Sequence, residues 1–261
     1  MAITRKLSRA ARDTAAARNE PRTAGENAGE PATLGEAAYQ RLRADIVVGI
    51  FKAGEPLRLE ALRQRYGLSF SPLREALMRL QSERLVASTA LRGFSVAPLS
   101  RAEIEDATET RILIESEALR RSMRKGNDDW EANIVAAYHA LSLQVERQSK
   151  LSKAETADLF AMEERHHHFH RALIAPCGSP RLLELAEQLY VETQRYRLPN
   201  YFGGTLGKRR RDAAAEHKTI MDATLRRSEE AVRLLSEHYR KTAAIIEASI
   251  EWPSPSGKAA K

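Results

Sequence analysis

The run GLSFSPLREAL occupies residues 67–77 and decides the fold of the N-terminal part of the chain. Gly67 is typical of a residue that follows a helix, because glycine adopts the left-handed backbone without a steric cost. We expect the next helix to have Ser71 as its N-cap and Pro72 as its first residue. Leucines then recur on one face of that helix, which leaves Arg74 on the solvent side of its first turn.

The residues on either side of this run complete the pattern. An apolar stripe with helical spacing covers 34–50, and a second short helix precedes the run. Two strands are predicted at 85–88 and 94–97, joined around Arg92 and Gly93. Helices and a hairpin in this order predict a winged helix-turn-helix, a module whose second helix enters the major groove of DNA.

The charge balance favours a polyanionic partner. The chain of 261 residues has 42 Lys and Arg against 35 Asp and Glu, a formal net charge of +7. Residues 34–98 contain ten basic and six acidic side chains, a net charge of +4. Basic side chains gain binding free energy by displacing counterions from phosphates, so this charge suits double-stranded DNA. A small helical domain with a solvated basic face is the alternative interpretation.

The chain as a whole is predicted to be mainly α, with a bundle after the winged module. Residues 1–33 and 251–261 have the composition of disordered tails, and the first of them is basic. The winged helix-turn-helix is assigned to 34–98 and an all-α helical bundle to 99–250. Turn-forming residues predict breaks in the bundle at 126–127, 176–178 and 200–204.

Cysteine content and hydropathy bear on the compartment. The single cysteine, Cys177, excludes an internal disulfide framework and is typical of a reducing compartment. No apolar run approaches the roughly 20 residues that cross a bilayer, and the first thirty residues lack the apolar segment of a secretory signal. We therefore expect a cytoplasmic, nucleoid-associated protein with no membrane partner.

Four histidines lie on apolar helical stripes. His166 and His170 are four residues apart and share one helix face, while His217 and His238 lie on two later helices. A bundle that brings these faces together makes a site of four imidazole nitrogens, which favours Zn²⁺ or Ni²⁺ over Mg²⁺ or Ca²⁺. The alternative is that each histidine is a hydrogen-bonded core residue. The two histidines between His166 and His170 point elsewhere and are expected to be exposed.

Arg111 is the other residue that the pattern singles out in the bundle. It lies on an inward stripe of the first helix, with Glu115 one turn later. One interpretation is a guanidinium that binds the carboxylate of a small organic acid beside the metal. The other is an ion pair with Glu115 at helical spacing. The residue pattern leaves both open.

Residues 36–98 resemble the GntR superfamily of bacterial transcription regulators. The resemblance is carried by the 67–77 run, by the leucines that follow it, and by IVVGIFKAGEPL at 46–57. It implies that Arg74 reads guanine, a contact worth roughly 1–3 kcal/mol of discrimination. The remaining DNA contacts that it implies come from Ser69, Ser71, Arg92 and Gly93.

Two residues depart from the pattern of that family. Members usually have Arg where this chain has Phe70, and often a polar residue or Arg where it has Glu60. Some DNA contacts are then missing, or are supplied by Arg58, Arg63 or Arg65. Arg79, on the solvent face of the same helix as Arg74, is a further candidate DNA contact.

The C-terminal part resembles the FadR-like subfamily, whose helical FCD-type domain binds ligands. FHRALIA at 169–175 and GSPRLL at 178–183 carry the resemblance, together with the two last helices. In metal-binding members the ligands are an Asp and a His four residues apart, followed by two further His. His170, His217 and His238 match three of them, whereas His166 stands at the Asp position. A neutral ligand in place of Asp leaves the site more positive and more attractive to an anion.

Together these features predict a ligand-responsive repressor that acts as a homodimer on a palindromic operator. The effector is expected to be a small carboxylate that meets the metal and Arg111. One alternative is a metal sensor in which the ion itself is the signal. A second is a metalloenzyme whose histidine-bound ion activates water. Glu163 and Glu164 lie near the histidines but not in a clear general-base position.

Overall fold

The computed structural model describes residues 33–89, 93–150, 156–202, 212–250 and 252. This part of the chain is mainly helical, as predicted, with one two-stranded sheet. In chain order its elements are α1 (Leu34–Val47), α2 (Leu59–Tyr66), α3 (Phe70–Ser82), β1 (Val86–Thr89), β2 (Gly93–Val96), α4 (Arg101–Lys125), α5 (Asp128–Ser149), α6 (Thr156–Ile174), a 3₁₀ turn (Ala175–Cys177), α7 (Pro180–Phe202), α8 (Ala213–Leu225) and α9 (Glu230–Glu247).

The helix-turn-helix consists of α2 and α3. Gly67 follows α2 in the left-handed conformation, with φ of 67°, as the sequence predicted. The predicted start of α3 was wrong, because Ser69 rather than Ser71 is the N-cap and the helix begins at Phe70. Pro72 is therefore the third helical residue. It is tolerated there because the N–H groups of the first turn have no acceptor within the helix.

The wing is the antiparallel pair β1 and β2, in which Val86 lies opposite Val96. Gly93 opens β2 with φ of 78°, a conformation that side-chain-bearing residues rarely adopt. Arg92, the predicted tip of the wing, lies outside the described residues. The predicted tails also lie outside them, apart from Thr33 and Trp252.

The N-terminal core is built mainly from α1 and α3. Leu42 of α1 and Leu73 and Leu77 of α3 are fully buried in one cluster. Leu198 of α7 belongs to the same cluster, and Phe160 of α6 packs against it. Two helices of the C-terminal bundle therefore complete the core beneath α3, so the two parts pack as one body in this region.

The bundle surrounds a second apolar core. Leu119 of α4, Ile134 of α5, Phe169 of α6, Ile220 of α8 and Leu235 of α9 are all buried in it. Such packing fixes which face of each helix points inward, and therefore where inward polar groups meet.

Local signals explain most helix ends in the bundle. The Asn127 side chain accepts a hydrogen bond of 3.1 Å from the Trp130 N–H and caps α5, and Gly178 ends the 3₁₀ turn with φ of 70°. The predicted breaks at 126–127 and 176–178 are confirmed. The break predicted at 200–204 begins too early, because α7 continues through Phe202. No helix in the described part of the chain has the length and apolar content needed to cross a bilayer.

Candidate DNA interface and metal centre

The exposed face of α3 carries the residues predicted to contact DNA. Ser69, Ser71 and Arg74 are all exposed at the N-terminal end of the helix. Arg74 has no ion pair among the described residues. The hydrophobic side of the same turn, with Leu73 buried, holds this end of the helix against α1.

Arg79 differs from Arg74 in its surroundings. Its guanidinium donates a hydrogen bond of 2.7 Å to Glu36 and lies 3.5 Å from the centre of the Tyr39 ring. Both partners belong to α1. Arg79 therefore helps to hold α3 against α1, and its predicted contact with DNA stays a prediction.

The two residues that depart from the family pattern lie together. Phe70 is exposed at the first position of α3, and the guanidinium of Arg63 lies 5.7 Å from the centre of its ring. Glu60 accepts a hydrogen bond of 2.7 Å from the same guanidinium. Arg63 therefore forms an ion pair with Glu60, and its guanidinium lies beside the Phe70 ring.

The four histidines that share the inward stripes converge in the bundle. His166 and His170 come from α6, His217 from α8 and His238 from α9. All four side chains are buried, and each offers one nitrogen such that these atoms lie within 4.8 Å of one another. The structure therefore brings together the complete set that the sequence predicted as metal ligands.

Hydrogen bonds to the outer ring nitrogens orient two of these imidazoles. His238 Nδ1 lies 3.0 Å from a Glu216 carboxylate oxygen, and His170 Nδ1 lies 3.0 Å from the Tyr239 hydroxyl. Tyr239 in turn donates to Glu115 over 2.5 Å. Metal-binding histidines usually hold one nitrogen in this way, which leaves the other nitrogen for the ion.

The inner nitrogens have the spacing of ligands around a small cation. His166 Nε2 and His170 Nε2 are 3.1 Å apart, close to the edge of about 3.3 Å of a tetrahedron with zinc–nitrogen bonds of 2.0–2.1 Å. His166 Nδ1 is buried without a hydrogen-bond partner. A core histidine normally has both ring nitrogens hydrogen-bonded, so His166 differs from an ordinary core histidine.

Electrostatics keep His166 and His170 neutral. Burial lowers the pKa of His166 well below its ordinary value, and His217 and Arg197 lower it further. Burial and His166 do the same to the pKa of His170. Neutral imidazoles have the free lone pairs that Zn²⁺ or Ni²⁺ requires, so the donor set fits such an ion.

Arg111 forms a buried ion pair next to the cluster. Its Nε donates to Glu115 over 2.5 Å, and its guanidinium lies 4.2 Å from the centre of the Tyr239 ring. Burial alone would lower the pKa of Arg111, but Glu115 and Tyr239 outweigh it and raise the pKa. The helical ion pair that the sequence left open is therefore present. It does not exclude the other interpretation, because Arg111 also borders a cavity.

This cavity has a volume of about 420 Å³, within the range of small-molecule sites. Its lining includes Arg111, Glu115 and His170, and apolar side chains form part of the wall. The remaining lining residues are His167, Arg171, Ile174, Leu183, Glu184, Ala186, Glu187, Gln188 and Tyr190.

The histidines between the two α6 ligands have different surroundings. His168 is exposed, as expected. The expectation for His167 was wrong, because its ring stacks on Tyr190 with 3.9 Å between ring centres and its Nε2 lies 2.9 Å from Glu187. Burial by α7, which local periodicity on α6 does not report, explains the difference.

A buried polar network that the sequence analysis did not assign joins α6 to α7. The carboxylate of Glu163 accepts from Tyr190 over 2.6 Å, from Arg197 over 2.5 Å and from Gln194 over 3.3 Å. Burial alone would raise the pKa of Glu163, but Arg197 and the hydrogen bonds lower it, so the carboxylate is charged. Glu163 shares a face of α6 with His166 and His170, and that spacing was the available signal.

Comparisons with known proteins agree with this architecture. The profile of the GntR family of bacterial regulatory proteins matches residues 34–96, and that of the FCD domain matches residues 106–241. The regulator BphR of Paraburkholderia xenovorans (strain LB400), described as an uncharacterized HTH-type transcriptional regulator, is 38% identical over 82% of this chain and 85% of its own length.

Two further proteins extend the comparison. The HTH-type transcriptional repressor GlaR of Escherichia coli (strain K12) is 34% identical over 80% of this chain and 94% of its own length. The solved structure of E. coli McbR/YncC has the same fold, with a TM-score of 0.66 at 19% identity over 83% of this chain and 98% of the other. The family is one of regulatory proteins, and BphR and GlaR are named as transcription regulators rather than enzymes. The chain therefore belongs to the GntR family of DNA-binding transcription regulators, in the FadR-like branch that carries an FCD domain.

Proposed function

We propose that this regulator is a ligand-responsive repressor. In this proposal residues 34–98 bind operator DNA, and residues 99–250 bind a transition metal together with a small organic acid. The observation that carries it is the convergence of four buried imidazoles beside a cavity, in a chain that belongs to a family of DNA-binding regulators.

On the DNA side, Arg74 is proposed to read guanine in the major groove, because it is exposed on the first turn of α3 and unpaired within the described chain. Phosphate contacts are assigned to Ser69 and Ser71 beside it, and wing contacts to Arg92 and Gly93.

In the bundle, the donor set of four nitrogens and no carboxylate favours zinc or nickel over hard, oxygen-loving cations. Bound there, the ion would supply a Lewis-acidic position for a carboxylate oxygen. The imidazoles of α6, α8 and α9 would be the ligands, with Glu216 and Tyr239 orienting two of them.

The charge balance around this site favours an anionic effector. Arg111 is compensated by Glu115, and Arg197 by Glu163, so both buried pairs are neutral overall. Four neutral imidazoles leave the charge of a divalent ion in place, and Glu216 offsets one unit of it. A monocarboxylate would neutralise the remainder. Arg111 is the proposed second contact for that carboxylate, because its guanidinium borders the cavity next to His170.

A continuous set of contacts leads from this cavity to the helix-turn-helix. Tyr190 lines the cavity and bonds to Glu163, which also binds Gln194. The side-chain amide oxygen of Gln194, Oε1, accepts a hydrogen bond from the guanidinium of Arg43 in α1. Arg43 also lies 3.9 Å from the carboxylate of Glu83, the residue that follows α3. We assign the response of operator binding to this route, which both sites can bias.

We further propose a homodimer, which would place two α3 helices on half-sites about one helical turn apart. Leu113 of α4 and Leu185 of α7 are exposed, and a second copy that covered them would remove apolar surface from water. The cytoplasm, where operator DNA lies, is the proposed compartment.

The test begins with protein purified without chelators. We expect about one zinc or nickel ion per chain by elemental analysis, and a change of operator affinity when a panel of small organic acids is added to the metal-loaded protein. His217→Ala should lose both the metal and the response, whereas His168→Ala, which removes an exposed histidine, should keep both. The proposal would be contradicted if the purified wild-type protein contained no metal and the His217→Ala variant still responded to the acids.

A second candidate function is a metal sensor, in which the ion itself is the signal. The completeness of the four-nitrogen set without an organic ligand favours it. In that case, zinc alone would change operator affinity relative to chelated protein, and the organic acids would add nothing.

A further inference from the structure

Phe70 is placed unusually for a large apolar side chain. It is 44% exposed, and it is the only aromatic residue among the large exposed hydrophobic side chains in the described ranges. An exposed phenylalanine forgoes the favourable free energy of burial, which a binding partner that covered the ring would restore. Its position, directly after the N-cap Ser69, is the end of the recognition helix that approaches the bases.

Phe70 also belongs to an exposed stripe along α3. Residues at positions 70, 74 and 78 share one helix face because they are four apart. Arg74 is exposed in the middle of this stripe, and Met78 at its far end is 64% exposed. Phe70 and Arg74 are therefore one turn apart at the N-terminal end of α3, whereas Met78 lies about 12 Å from Phe70 along the helix, away from that end.

The ring of Phe70 is held beside a positive charge. Arg63 of α2 lies 5.7 Å from the ring centre, and its guanidinium is anchored by Glu60. This contact restrains the ring, which is still 44% exposed. Arg74, which has no ion pair among the described residues, adds a local positive charge that suits a polyanion and disfavours an apolar protein partner.

We propose that Phe70 reads the 5-methyl group of a thymine in the operator, next to the base that Arg74 contacts. The methyl group is the only apolar feature that a base pair presents in the major groove, and an apolar side chain is its natural complement. Phe70 is thus a specificity-determining residue that favours thymine. This inference rests on the proposed role of α3 as the recognition helix.

The experiment uses the full-length protein and an operator selected from random duplex DNA. Each thymine of one half-site is replaced in turn by uracil, which removes the methyl group and keeps the base pair. Wild-type protein should lose affinity at one thymine by about fourfold, the factor that burial of one methyl group supplies. Phe70→Ala should bind the thymine and uracil duplexes equally, while Met78→Ala, the matched exposed apolar control, should keep the difference.

The outcomes separate this inference from the proposed function. If no uracil replacement weakens the wild-type protein, or if Phe70→Ala retains the penalty, Phe70 does not read a methyl group even though the protein binds its operator. If Met78→Ala removes the penalty as well, the assignment to Phe70 is also overturned. Failure of the proposed function would instead appear as selective binding that survives Arg74→Ala. Phe70→Ala and Met78→Ala should both melt at the wild-type temperature, because the two side chains are exposed.

Discussion

The imidazole of His238 lies with its Nδ1 3.0 Å from a carboxylate oxygen of Glu216, across the interface of α8 and α9. Glu216 directly precedes His217, so one residue of α8 offers a metal ligand while its neighbour orients a ligand on α9. The same carboxylate also lies 3.9 Å from Lys241. The two final helices are therefore joined through the predicted metal centre.

Glu216→Gln is expected to weaken zinc binding by roughly tenfold to a hundredfold, since an amide is a poorer partner for the imidazole N–H than a carboxylate. Competition with a chromogenic chelator measures the zinc affinity. Glu230→Gln, which changes an exposed glutamate of α9, serves as the control. Equal zinc affinity of the two variants would remove Glu216 from the site.

Gln194→Ala is expected to uncouple the two parts of the protein. It removes the link between Glu163 and Arg43 while leaving the four histidines intact. Operator affinity is measured on zinc-loaded protein with and without the organic acid selected from the panel. A typical coupling of five- to 150-fold should fall towards one.

The control for Gln194→Ala is Arg84→Gln, which removes another contact between the two parts: the exposed Arg84 guanidinium lies 3.6 Å from the Glu192 carboxylate. That variant should respond like the wild type. A response that is lost in both variants would indicate general loosening of the interface, and one kept in Gln194→Ala would rule out this route.

Arg74→Ala is expected to abolish selective binding of the operator with little change in protein stability, because the side chain is exposed and unpaired among the described residues. Losing a bidentate guanine contact costs roughly 1–3 kcal/mol of discrimination. Electrophoretic retention at moderate salt, with operator and scrambled duplexes, measures it. Arg147→Ala removes one exposed positive charge from α5 and should bind as the wild type does. Full selectivity in the Arg74 variant would refute the assignment of α3.

Acid is expected to destabilise the metal-free protein. The pKa values of His166 and His170 are lowered in the folded state, first by burial and then by their charged and histidine neighbours. As the pH falls below the ordinary value of about 6.5, the unfolded chain therefore binds more protons than the folded one, and the free energy of unfolding decreases.

The decrease is expected to reach up to about 1.4 kcal/mol per histidine for each pH unit below that value. Urea titrations between pH 7.5 and 5.5 measure it, and bound zinc should suppress it, because the ion competes with protons for the same nitrogens. His168→Asn, an exposed histidine, should leave the pH profile unchanged. A flat profile in the metal-free protein would show that the buried rings do not titrate in this way.

Local sequence was sufficient for much of the fold and for the candidate ligands. The left-handed turn at Gly67, the outward Arg74 and the inward face of His166 and His170 depend on backbone preference and helical period, which a few neighbouring residues determine. The same period placed His217 and His238 on inward faces. The start of α3 was predicted wrongly, because Ser69 and Ser71 are both residue types that cap helices and a proline is tolerated throughout the first turn.

Only the tertiary structure decided which distant groups meet. Glu216 reaches His238, Glu163 gathers Tyr190, Gln194 and Arg197, and Leu198 enters the core beneath α3. Each of these contacts depends on the angle and distance between whole helices, which the packing of many apolar side chains sets together. Helical periodicity within one segment does not report the angle or distance between helices. The sequence therefore predicted the histidine ligands, but it did not predict their hydrogen-bond partners or the route to the DNA-binding helices.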